Sequence, residues 1–101
     1  MPKGPSTAYG DRMVVVELSY TDTAERLALR PRHREILGSL YAEGEVTLAG
    51  PFDDGKGAMV VFTTTRERVD EILASDPYYS AESVTVTSIR DLTALFPTDQ
   101  G

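Results

Sequence analysis

His33, the only histidine of the chain, and Asp76 are the residues best suited to acid–base chemistry. A neutral imidazole oriented by a carboxylate can accept a proton at one ring nitrogen while the other stays bonded. His33 lies in Arg30-Pro31-Arg32-His33-Arg34-Glu35-Ile36-Leu37. Proline suits a first helical position and disfavours helical geometry in the residue before it, so a helix is expected to begin at Pro31, with His33 in its first turn. Ile36, Leu37, Leu40 and Tyr41 follow at three- and four-residue spacings and share a face with His33, which turns the ring towards the core or a cavity in it. Asp76 follows Ile72 and Leu73 at the end of a second helical pattern, near its apolar side. An imidazolium at a helix N-terminus and a carboxylate at a helix C-terminus are each disfavoured by roughly 0.3–1 kcal/mol. Pairing His33 with Asp76 would relieve both conflicts. With Arg30, Arg32 and Arg34 also opposing protonation, a neutral His33 acting as general base is expected, and Arg30 is placed to bind an anionic or enolate oxygen.

The same residues have structural readings. His33 could bond only a backbone carbonyl, and Asp76-Pro77 reads as an N-cap and first helical proline opening a short turn through Tyr78 and Tyr79. Those tyrosines could line a pocket or pack the second helix, and packing is expected of at least one of them. Gly50-Pro51-Phe52-Asp53-Asp54-Gly55-Lys56-Gly57 approaches the phosphate-loop pattern but ends in Gly57 rather than Ser or Thr, carries two carboxylates and leads into a strand. Asp53, Asp54 and Glu45 are better read as an exposed polar turn than as metal ligands. No serine sits in a nucleophile elbow. Neither a metal nor a cofactor is expected.

The elements that must position these residues follow in order. Residues 1 to 12 read as a mobile tail. Met13 to Tyr20 alternates as a strand, with Val14, Val16, Leu18 and Tyr20 on one side. Asp22 and Glu25 suggest a capping box for a short turn, which Pro31 separates from the main helix ending at Gly44. Glu45 to Ala49 and Ala58 to Thr63 form a hairpin around the glycine-rich turn. Thr65 to Ser75 is the second helix, with Thr64 or Thr65 as cap. Val84 to Ile89 is the fourth strand, and residues 92 to 101 read as an arm whose Leu95 and Phe96 dock elsewhere. The order β-α-β-β-α-β predicts an α+β, ferredoxin-like domain over residues 13 to 91: a four-stranded antiparallel sheet, order 4-1-3-2, with both helices on one face. This topology brings Ser19 and Tyr20, Arg30 to His33, Gly50 to Asp53 and Asp76 to Tyr79 to one end of the sheet.

With 101 residues, of which 41% are apolar and 26% charged, the chain is expected to form one globular domain. It has no apolar run of membrane-spanning length and no signal-peptide core, so a cytoplasmic location is expected. The absence of cysteine excludes thiolate chemistry and disulfides, and a single histidine excludes a multi-histidine metal site within one chain. A net charge of −6 argues against nucleic acid or an anionic membrane as partner. Helices on one face leave the other face of the sheet open. Met13, Val15 and part of Met59 to Phe62 would form an apolar patch there, so a homodimer through that face is expected.

Arg30-Pro31-x-His33, Leu48-Ala49-Gly50-Pro51-Phe52, an Asp-Gly hairpin and Ala74-Ser75-Asp76-Pro77-Tyr78, in that order, resemble the YCII-related (YciI-like) family over roughly Met13 to Arg90. The resemblance implies a dimeric α/β barrel and a His-Asp site at His33 and Asp76, with Gly50 and Pro51 at the pocket wall. Ser80 to Val84 departs from the glycine-containing connection of many members. Chemistry by analogy with related barrels would be lyase- or isomerase-like, on a small cyclic or aromatic compound. Tyr20, Arg30, Phe52 and Tyr78 complete the expected substrate contacts. The alternative is a non-catalytic module holding a metabolite in the same cleft.

Overall fold

In the first strand every second residue from Val14 to Leu18 is buried, and the rest of the sheet is built around it. A computed structural model describes residues 12–96. The elements are β1 (Arg12–Tyr20), α1 (Ala24–Ala42), β2 (Val46–Pro51), β3 (Gly57–Phe62), α2 (Arg66–Ser75), a 3₁₀ turn (Pro77–Ser80) and β4 (Val84–Thr93). The strands form one antiparallel sheet in the order β2-β3-β1-β4. This is the expected ferredoxin-like topology. Val14, Val16 and Leu18 of β1 are buried, with Val60 and Phe62 of β3 opposite Val16 and Val14, and they pack with Leu40 of α1 and with Val69 and Ile72 of α2. The reverse face carries Met13, Val15, Leu48, Val61 and Leu92, joined across the strands by Val15 opposite Val61, Leu48 opposite Val61 and Met13 opposite Leu92. Leu48 and Leu92 stay 58% and 47% exposed on it.

The start of the first helix differs from expectation. α1 runs unbroken through Pro31, and its N-cap is Thr23, whose hydroxyl accepts a hydrogen bond from the Arg26 N–H at 3.2 Å; Asp22 does not cap a separate turn. Proline in a helix removes one N–H and crowds the carbonyl four residues back, a cost of about 3 kcal/mol or more. Here that carbonyl belongs to Leu27, and both Leu27 and Pro31 are exposed, so water can serve it. Opposite them Arg26, Leu29, His33, Ile36, Leu37 and Leu40 form a continuous inward stripe at helical spacing. Tertiary packing along that stripe outweighs the local penalty. The C-terminal end is as expected: Gly44 has φ +84°, the left-handed stop that glycine tolerates.

The β2–β3 hairpin closes against β1 at Gly57. A side chain there would stand 2.1 Å from the Leu18 carbonyl oxygen, so only glycine permits this approach. β4 extends to Thr93, beyond the expected Ile89, and Leu95 and Phe96 are exposed rather than docked. The expected tail at residues 1 to 12 lies outside the described residues except for Arg12, which opens β1. Among the described residues no helix is long and apolar enough to cross a membrane.

Candidate functional site

His33 sits in the middle of α1, the tenth of its 19 residues, not in a first turn. The helix-terminus field expected to act on it is therefore absent, and its environment is set by packing. The ring is 7% exposed. Tyr78 stacks on one side of it, with centroids 4.0 Å apart and planes within 9°. Tyr79 meets it edge-on at 5.2 Å. Both tyrosines are buried, Tyr78 lining the cavity described below and Tyr79 packed behind the imidazole.

Asp76 performs both roles read from the sequence. It ends α2 and caps the 3₁₀ turn, its Oδ1 accepting the Tyr78 N–H at 3.0 Å ahead of Pro77. The other oxygen, Oδ2, lies 2.8 Å from His33 Nδ1. An Asx turn thus holds the carboxylate rigid while it faces the ring. A neutral imidazole donates from Nδ1 to this oxygen, leaving the lone pair on Nε2. Nε2 has no partner among the described residues, yet it is not sealed from solvent.

Burial holds the His33 imidazole below its ordinary pKa of 6.5, and the Arg34 charge adds to this; the bond and the charge of Asp76 pull the other way without overcoming burial. The native state therefore binds fewer protons at His33 than the unfolded chain does. The stabilisation this gives is present above pH 6.5 and is lost as pH falls through the depressed native value. Urea midpoints measured from pH 7.5 down to 5 are expected to fall more steeply for the wild type than for His33→Gln. Parallel profiles would contradict this assignment. Burial, followed by the nearby Asp76 charge, pushes the Tyr79 hydroxyl well above its usual range, and this hydroxyl is buried with no partner among the described residues.

His33 opens onto a cavity of about 530 Å³ between the first half of α1 and the β1–β3–β2 side of the sheet. That volume suits a small organic molecule. Tyr20, Arg30, Gly50, Pro51 and Tyr78 line it, and Ala49, Ala58 and Leu37 complete much of the apolar wall. Phe52 does not line it; it starts the turn beyond β2 and is 40% exposed, with its N–H bonded to the Gly57 carbonyl.

Sequence reasoning missed Arg26. Arg26 is 3% exposed and each guanidinium nitrogen makes a hydrogen bond: Nη1 donates to the Tyr78 hydroxyl at 2.8 Å, Nε to the Thr21 carbonyl at 3.0 Å, and Nη2 to Asp22. It also lies 4.0 Å over the Tyr20 ring, whose hydroxyl donates to the Gly57 carbonyl at 3.1 Å. The signal was present in the spacing, since Arg26 precedes Arg30 by four residues and His33 by seven. The supposed break at Pro31 hid it. Arg34 also lines the cavity, whereas Arg32 lies outside it and pairs with Glu35 at 3.1 Å.

Residues 13–93 match the model of the YCII-related domain. No curated protein matches the chain. The match spans four strands, two helices and every residue that lines the cavity, and the chain belongs to the YCII-related domain family.

Proposed function

We propose that the cavity is the active site of a small-molecule enzyme in which His33 is the general base and Asp76 fixes its tautomer. The observation that carries this reading is the asymmetry of the imidazole. Nδ1 is held by a buried carboxylate, while Nε2 has no partner among the described residues and His33 lines a cavity large enough for substrate. In the reaction a C–H proton passes to Nε2, the electron pair moves onto an adjacent carbonyl oxygen as an enolate, and Nδ1–H stays with Asp76 to stabilise the imidazolium. Return of the proton to another carbon gives an isomerase; departure of a leaving group from the enolate gives a lyase. A small cyclic or aromatic compound suits the apolar walls and the Tyr78 ring.

Proton exchange tests this without knowledge of the physiological reaction. Small lactones, cyclic ketones and aromatic acids are incubated with the protein in D₂O, and loss of C–H signals is followed by NMR. The wild type is expected to exchange at least one compound it binds, and His33→Ala to slow this by about 10²–10⁴-fold, the usual worth of a positioned base. Binding without exchange in any compound would favour the second reading, a non-catalytic metabolite-binding module.

The assembly we infer is a homodimer through the open sheet face, in a cytoplasmic protein. Met13, Val15, Leu48, Val61 and Leu92 form an apolar surface there that a second copy would cover. Leu48 is already exposed in the single chain, so Leu48→Glu spares the core. Sedimentation equilibrium is expected to show a dimer for the wild type and a monomer for the variant; a monomeric wild type at high micromolar concentration would refute the assembly.

A further inference from the structure

We propose that the cavity takes a carboxylate-bearing compound whose carboxylate is held between Arg30 and Arg34. This rests on the reading of the cavity as a small-molecule site and deepens it by naming the substrate class.

The argument is one of unspent charge. Three arginines line the cavity, and each guanidinium nitrogen of Arg26 already bonds a protein group, Tyr78, Thr21 or Asp22. Asp22 is the one carboxylate on the lining, and Arg26 already engages it. Arg30 and Arg34 stand four residues apart on α1, on the cavity side, and neither pairs with a carboxylate among the described residues. Arg32, between them in sequence, faces away and has Glu35. In a chain of net charge −6, two guanidinium groups on the cavity lining with no carboxylate partner among the described residues are a local reversal of sign.

Guanidinium groups match a planar carboxylate through paired N–H donors, a geometry that a lysine does not offer. The rest of the wall, including Leu18, Leu37, Ala58 and Val60, accepts an apolar body. The Arg34 charge also acts on His33, where it disfavours the imidazolium, so it lies within electrostatic reach of the base. A carboxylate on these arginines would lie in the same cavity that His33 lines.

The test uses matched pairs on the full chain: benzoate against benzamide, and cyclohexanecarboxylate against cyclohexanecarboxamide. His33 is the only histidine, so its imidazole NMR signal reports occupancy of this site alone. The acids are expected to bind at least tenfold more tightly than the amides. Arg30→Gln and Arg34→Gln are each expected to cost the acids tenfold or more, and added salt to weaken them further. Equal binding of acids and amides, or unchanged acid binding in both variants with native circular dichroism, would overturn the carboxylate assignment and leave the small-molecule reading in place. If none of the four compounds moves the His33 signal, both fail.

Discussion

Asp76→Ala is expected to destabilise the fold by about 2–5 kcal/mol, the combined effect of losing a cap and orphaning two buried donors. Asp76 is 2% exposed, and its two oxygens serve the Tyr78 N–H and His33 Nδ1 separately. Alanine deletes both acceptors at once. Asp76→Asn separates structure from chemistry. The amide oxygen can still accept from the Tyr78 N–H, but the amide nitrogen then stands where Oδ2 faced His33 and presents a donor. To meet it, Nδ1 must become the acceptor and the ring proton moves to Nε2. The expected result is a loss of less than about 2 kcal/mol in urea melts, since one bond is retained and the other is reversed rather than removed. Exchange activity, by contrast, falls as far as in His33→Ala, because Nε2 no longer carries a lone pair. Nitrogen-15 chemical shifts of the single imidazole read the tautomer directly: protonated Nδ1 in the wild type, protonated Nε2 in Asp76→Asn. A wild-type ring already protonated at Nε2 would rule out His33 as the base in this geometry.

How far the sequence discloses this site depends on whether local or distant forces decide each piece. Strand alternation from Val14 to Tyr20 is decided by which face is buried, and the pattern is visible residue by residue. Asp76-Pro77 is legible because capping is local chemistry, and its second bond, to His33, follows from topology that places both at one end of the sheet. The N-terminal half of α1 is not legible in this way. Pro31 argues for a break, and only the stripe from Arg26 to Leu40, packed against distant parts of the chain, argues against it. A break at Pro31 would set His33 at a helix end and take Arg26 off the face that holds the site; the unbroken helix does neither, and no helix-terminus dipole acts on His33. Phe52 lies off the cavity lining for a related reason: adjacency to Gly50 and Pro51 says little about side-chain direction where a strand turns into a hairpin.

Arg26→Ala is the second substitution expected to have a large effect, about 2–4 kcal/mol, because a buried guanidinium both packs and satisfies other groups. Its removal leaves the Tyr78 hydroxyl and the Thr21 carbonyl without their partner and takes the cation from the Tyr20 face. The consequence reaches the base indirectly. Arg26 fixes the tip of Tyr78, and the Tyr78 ring lies flat against His33, so Arg26 is a positioning residue for the imidazole. Ring-current shielding of the His33 protons by the stacked Tyr78 gives a readout that a general loss of stability would not move. In folded Arg26→Ala, the His33 proton signals are expected to shift towards free histidine. Arg26→Lys keeps the charge, but an ammonium cannot span three acceptors in fixed directions as a guanidinium does, so it is expected to recover part of the stability and little of the shielding. If Arg26→Ala melts within about 0.5 kcal/mol of the wild type, the value usual for surface substitutions, and leaves the His33 shifts unchanged, then Tyr78 is held by its own packing against the 3₁₀ turn and Arg26 does not position the base.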